Sequence, residues 1–264
     1  MMLNLFSDDW RLALSILTAM VIGWNVRIPV FKMAILKNFV DKPNMRSSHT
    51  GCVPNIGGIV IFLAFLCSFL LFAHFSKEPE LQYVLLGAIL LFIVGIYDDM
   101  LVISPRKKLK GEMLGVLVLI VGGDFYLSTF HGFLGLNEVS PWIGVPLTFF
   151  GLLGLVNAIN LIDGIDGLSS GVALMDVLFF GWWFFSCGHT EYALLCGILA
   201  ASLVPFFIIN LFGKRSKMFM GDSGALMVGY LLGVLAIKFC KEDVYMQDIC
   251  MVKAAPGVVF SVLA

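Results

Sequence analysis

The chain has 264 residues, 59% of them apolar and 13% charged, with a mean hydropathy of +0.96. A water-soluble domain carries about 25% charged and 45–50% apolar residues, so a soluble globule is excluded, and intrinsic disorder with it. Seventeen Lys and Arg against eighteen Asp and Glu leave a formal net charge of −1, without the bulk positive charge that attracts nucleic acid.

Apolar runs of bilayer-crossing length, roughly 17–25 residues, lie near 11–31, 52–75, 81–97, 111–127, 140–157, 168–187, 191–212 and 223–240. They predict an all-α, polytopic membrane protein with about eight complete transmembrane helices in a single domain over 1–264. The first run is too long for a signal peptide and no small-residue cleavage site follows it. The fourth is interrupted by Gly122-Gly123-Asp124, and Pro205 predicts a kink in the seventh. Asp176 lies in the sixth run, where an ionisable side chain is a functional candidate by default. Its expected state is neutral, packed against a neighbouring helix. From Ala254 to Ala264 a ninth run begins that is too short to span, which predicts a C-terminally truncated domain.

Cations set the orientation. Loops after the first, third and seventh runs hold Arg27, Lys32, Lys37, Lys42, Arg46, Arg106, Lys107, Lys108, Lys110, Lys214, Arg215 and Lys217, twelve of the seventeen. Arg11, Lys77, Lys238, Lys241 and Lys253 account for the rest. The positive-inside rule then places the N-terminus outside and those loops in the cytoplasm. His74, His131 and His189 fall on the outer side by the same parity. Six cysteines show no CxxC spacing and mostly sit within runs as small hydrophobes, with Cys187, Cys240 and Cys250 as outer-side candidates for a disulfide.

Four polar segments share the predicted cytoplasmic side. They are Asp41 to His49 leading into Pro54-Asn-Ile-Gly-Gly58; Asp98-Asp99 with the basic run to Lys110; Asn157-Ala-Ile-Asn160-Leu-Ile-Asp163-Gly-Ile-Asp166-Gly167; and Met220-Gly-Asp222-Ser-Gly224. Carboxylates and cations gathered at one membrane face must be paired, hydrated or metal-bound. Asp98, Asp99, Asp222 and an amide of the third segment offer the hard oxygen ligands that suit Mg²⁺ with phosphate oxygens and water. Basic neighbours suit an anionic substrate, and the two together describe phosphoryl transfer. No GxxxxGK[ST] segment supports a P-loop nucleotidase. An acceptor drawn from the bilayer fits the position of the segments.

These motifs resemble the polyprenyl-phosphate N-acetylhexosamine-1-phosphate transferases, in order and spacing, over about residues 40–235. Arg46-x-x-His49 with Pro54-x-x-Gly57-Gly58 is similar to that family's first cytoplasmic loop. The resemblance implies transfer of a sugar 1-phosphate from a UDP-sugar to undecaprenyl phosphate, with release of UMP, Mg²⁺ (or Mn²⁺) as cofactor, and a bacterial inner membrane as location. It implies that Asp222 and Asn160 hold the metal and that Asp98 and Asp99 are the catalytic pair. Asp163, Asp166, Lys108 and His49 would contact substrate, and a homodimer is a further expected assembly. Ile162 resembles the branch that uses simple N-acetylhexosamines, such as UDP-GlcNAc, rather than the peptidoglycan precursor. The family's His-rich loop near its C-terminus has no counterpart here, and Met100-Leu-Val follows the pair without the further charged residue often found there.

Either acidic residue of the pair is open as base, as positioning group or as covalent nucleophile. Competing readings are a solvated helix end for Asp98-Asp99, a transporter built on Asp176, and an inactive scaffold. Carrier sites, however, usually lie near the midplane on broken helices, whereas these carboxylates gather at one face. A CDP-alcohol phosphotransferase would show Ala-Arg shortly after Asp-Gly, which neither Asp163-Gly nor Asp166-Gly does.

Overall fold

A computed structural model describes residues 8–36, 40–41, 53–130, 138–213 and 217–242. Within them the helices are α1 (Asp8–Leu36), α2 (Gly57–Phe72), α3 (Leu81–Leu101), α4 (Pro105–Leu117), α5 (Pro141–Ile162), α6 (Leu168–Ser186), α7 (Thr190–Phe212) and α8 (Gly221–Lys241). A two-residue ladder pairs β1 (Val40–Asp41) antiparallel with β2 (Val53–Pro54). The all-helical, polytopic class is thus as expected, and each apolar run supplies a helix.

Six of these helices, α1, α3, α5, α6, α7 and α8, are long and apolar enough to cross a membrane. The expected count of eight complete spans goes beyond these six, since α2 and α4 fall short of that measure for two local reasons. Before α2 the chain is extended, with Phe219 N–H donating to Pro54 O at 3.0 Å, so the helix starts only at Gly57 and runs 16 residues. The α4 helix opens on Pro105 and the charged run Arg106 to Lys110, then loosens into a π-helical turn at Val118–Gly122. It ends at Gly122-Gly123, and Asp124 turns left-handed at φ 47°.

A helix apolar on every side belongs in the middle of a bundle. From Ala225 to Leu235 every residue of α8 is buried, and α2, α3, α5 and α6 pack around it. Close approach is set by missing side chains: a Cβ on Gly95 would lie 2.4 Å from the Ser223 Cα, and one on Gly58 2.3 Å from the Gly224 nitrogen. Both crossings occur in the first turn of α8, which the two neighbours therefore grip by backbone contact.

The opposite ends of the helices carry the charges assigned to the outer side. Arg11 of α1 meets Glu191 of α7 at 2.6 Å, both only 2% exposed. Lys238 of α8 meets Glu80 at 3.0 Å and Glu242 at 2.8 Å, while the Tyr192 hydroxyl donates to Glu80 at 3.1 Å. These pairs tie α1, the α2–α3 connection, α7 and α8 at the end remote from the acidic motifs. Cys67 and Cys196 are free thiols, while Cys52, Cys250, His131 and the ninth apolar run lie outside the described residues.

Gly95→Ala should lower stability by about 1–3 kcal/mol, because backbone rather than a flexible side chain blocks the new methyl. Gly151→Ala on α5 meets nothing within 4 Å and should leave the thermal midpoint in detergent unchanged or slightly raised.

Candidate active site

The first turn of a helix leaves N–H groups without intrahelical partners, and at a buried end something else must accept them. At the start of α8 that acceptor is Asp99, at the end of α3. Its Oδ1 accepts the Asp222 N–H at 2.9 Å and its Oδ2 the Ser223 N–H at 3.0 Å. Asn55, from the Pro54–Gly58 segment, donates its side-chain amide to Asp99 Oδ1 at 3.1 Å. Gly221 supplies the entry to this turn at φ 75°, where a Cβ would fall within 3.0 Å of both Asp99 oxygens.

Asp98 faces elsewhere. Its Oδ1 accepts the Ile103 N–H at 2.9 Å, closing α3 where Val102 takes the left-handed conformation at φ 47°. That conformation is costly for a β-branched residue, and it turns the chain so that α4 brings Lys108 back. Lys108 Nζ lies 3.0 Å from Asp98 Oδ2 and 2.9 Å from Asp222 Oδ2. Burial alone would lower the Lys108 pKa, but Asp222 and Asp98 outweigh it and hold the ammonium above the usual lysine value. Asn160 of α5 donates its amide to the other Asp222 oxygen.

The third segment completes the ring. Asp163, just past α5, accepts the Ser169 hydroxyl at 2.6 Å and the Gly221 N–H at 3.1 Å. Burial pushes its carboxyl up to about 7, with the Asp222 and Asp99 charges adding to the rise against those two hydrogen bonds. Asp166 sits at the rim in an ion pair with Lys217. Asn210 of α7 bridges the two rims, accepting the Gly167 N–H at 2.6 Å and donating to Met218 O at 2.9 Å.

The described parts of the four polar segments therefore meet at one end of the bundle. Asp98, Asp99, Asn160, Asp163, Lys108 and Asp222 form a continuous network, with Asp166 at its edge; His49 and Arg46 lie outside the described residues. Asp176 is remote from this network along α6, 2% exposed, with one carboxylate oxygen lacking a hydrogen-bond partner. Sequence reasoning assigned no role to Asn55, Asn210, Lys217 or Glu112. A polar residue standing alone near the end of an apolar run, as Asn210 does, was the available signal.

The sequence profile of Glycosyl transferase family 4 matches residues 81–240. The chain belongs to glycosyl transferase family 4. It is 33% identical over 202 residues to the undecaprenyl-phosphate alpha-N-acetylglucosaminyl 1-phosphate transferase of Yersinia pestis, covering 75% of this chain and 55% of that protein. Proteins of the same description from Escherichia coli O157:H7 and Haemophilus influenzae are 32% and 34% identical, over 75% and 73% of this chain and 54% and 55% of theirs. The chain thus spans about half the length of the curated relatives it matches. Its six apolar helices of membrane-crossing length suit a multi-pass membrane protein of this family, and the transporter reading of Asp176 is not favoured.

A carboxyl group with a raised folded-state pKa binds its proton more tightly in the folded protein than in the unfolded chain. Its contribution favours the fold at low pH and is lost as pH rises from about 4 to about 7. Replacing Asp163 with Asn should flatten that part of the stability profile, read as the change in unfolding midpoint between pH 5 and pH 7.5. A slope identical to the parent's would count against the buried, proton-retaining state of Asp163.

Proposed function

We propose that this protein transfers an N-acetylhexosamine 1-phosphate from a UDP-sugar to undecaprenyl phosphate, releasing UMP and initiating a lipid-linked cell-envelope glycan. The observation that carries the reading is the convergence of Asp98 Oδ2 and Asp222 Oδ2 on a single ammonium, at 3.0 and 2.9 Å, where the helices end. Such a pair suits Mg²⁺, which takes one or two carboxylates and fills its remaining positions with water and substrate phosphate. Asp222 and Asp98 would hold the ion, with Mn²⁺ as substitute, and Asn160 would fix Asp222 through its second oxygen. The ion would neutralise the diphosphate as UMP leaves.

The chain's own groups divide the remaining work. A phosphate monoester has its second pKa near about 6, so the acceptor is already largely ionised and calls for positioning more than for a strong base. Asp98, with one oxygen directed at Lys108, is the group available to orient it. Asp99 is an unsuitable nucleophile, because bonding to phosphorus would strip the acceptor from the first turn of α8. Lys108 would contact phosphate, and Asp163 with Asp166 would line the nucleotide-sugar pocket beside Asn210. Ile162 favours a simple N-acetylhexosamine such as GlcNAc.

The same reading places the molecule in a bacterial cytoplasmic membrane, N-terminus outside, with the site on the cytoplasmic face. There α2 and α4 would complete the set of eight spans.

Detergent-solubilised protein given UDP-GlcNAc, undecaprenyl phosphate and Mg²⁺ should release UMP. Asp98→Asn and Asp222→Asn should each lower kcat by about 100-fold or more, the scale of removing a preorganised electrostatic partner. Failure to release UMP from any UDP-N-acetylhexosamine sinks the proposal, and release of one UMP per protein without lipid, with the sugar phosphate bound covalently to the protein, would establish a two-step route instead.

A further inference from the structure

A buried carboxylate is stable only if its oxygens find donors or a cation. Glu112 of α4 is 1% exposed. Its Oε2 accepts the Asn157 amide at 2.8 Å, but its Oε1 is buried with no hydrogen-bond partner. One turn earlier on the same helix stands Lys108, and residues four apart on a helix face are neighbours at about 6 Å between their Cβ atoms. The charges that Glu112 feels are those of Lys108, Asp222 and Asp98. An acceptor without a donor thus sits one turn behind an ammonium that occupies the space between two cation-binding carboxylates.

We propose that Lys108 is the place-holder of the divalent-cation position, and that Glu112 is the acceptor to which its ammonium swings when the cation binds between Asp98 and Asp222. Without the ion, Lys108 neutralises the two carboxylates. When a divalent cation enters, an ammonium left between them would face a like charge at contact distance, and it withdraws one turn toward Glu112 Oε1. The pair Lys108–Glu112 then satisfies the orphaned oxygen, and Asn157 keeps the carboxylate turned toward it. Glu112 is a positioning residue in this scheme and touches neither substrate nor ion. The inference rests on the cation site of the proposed function and not on the identity of the sugar or the lipid.

The test is Mn²⁺ affinity by electron paramagnetic resonance, on purified protein with no substrate present. Glu112→Gln keeps an oxygen for the Asn157 amide but puts an N–H where the ammonium would dock. It should weaken Mn²⁺ binding by about tenfold, the loss of one charge-assisted hydrogen bond. Lys108→Met removes the competing ammonium and should tighten binding by a similar factor, a change of opposite sign that a merely structural role for Glu112 does not produce. Equal affinity in the parent and both variants overturns the proposal, as does weaker binding in Lys108→Met. Parent protein that binds Mn²⁺ with this pattern yet releases no UMP would refute the transferase reading and leave the place-holder standing. UMP release without any Mn²⁺ binding would refute the place-holder alone.

Discussion

The start of α8 is the point on which the rest of the structure depends. A helix this apolar is forced to the centre of the bundle, and its first turn then lies among other helices rather than in water. Its unpaired N–H groups must be accepted there or cost roughly 1–3 kcal/mol each. Asp99 meets that demand with both oxygens, and a carboxylate at a helix N-terminus also gains from the macrodipole. Capping of this kind fixes more than one helix. Asp99 belongs to α3, its third donor Asn55 precedes α2, and Gly221, whose turn it accommodates, is held from the other side by Asp163 at the end of α5.

Charge is distributed around that cap economically. Asp222 is the second residue of α8, so the cap that orders the helix also orders Asp222. Its two oxygens are then claimed by groups from two different helices, Lys108 of α4 and Asn160 of α5. At the other end of the same helix Lys238 is enclosed by Glu80 and Glu242, again from outside α8 or just past it. The central helix is therefore held by ionic groups at both ends and by close apolar packing between them. One end encloses a cation among carboxylates, whereas at the other the carboxylates of Asp222 and Asp98 share the single ammonium of Lys108.

Hydropathy made the spans legible, since bilayer length and apolar composition leave few alternatives, and the four polar segments were legible from cation parity. What the sequence could not show was which backbone groups would join them. Phe219 and Met220 receive the N–H groups of Gly57 and Gly58, contacts that involve no characteristic side chain. The length of α2 was likewise misjudged, whereas the break after α4 falls at the Gly122-Gly123-Asp124 interruption expected from the sequence. Helix ends are decided by what the flanking backbone pairs with, and a hydropathy window averages over them. Glu112 went unremarked because one acidic residue after a basic run reads as part of a solvated face, and only burial against Asn157 distinguishes it.

The acidic pair shows most clearly how fold becomes chemistry. Neighbouring residues on a helix project about 100° apart, so Asp98 and Asp99 reach Asp222 from different sides, Asp99 at its backbone N–H and Asp98 at its carboxylate across Lys108. Asp99 faces inward to α8 and is consumed by N–H groups; Asp98 faces α4 and pairs with Lys108. Sequence treats the two as equivalent, and a dyad of like carboxylates would ordinarily suggest shared proton chemistry. Their actual partners separate them. An inward carboxylate builds the turn that carries Asp222, and the adjacent one joins Asp222 on the Lys108 ammonium. Two identical side chains thus take different partners at one helix end because they are contiguous: α3 meets the first turn of α8 with one residue and the space in front of it with the other.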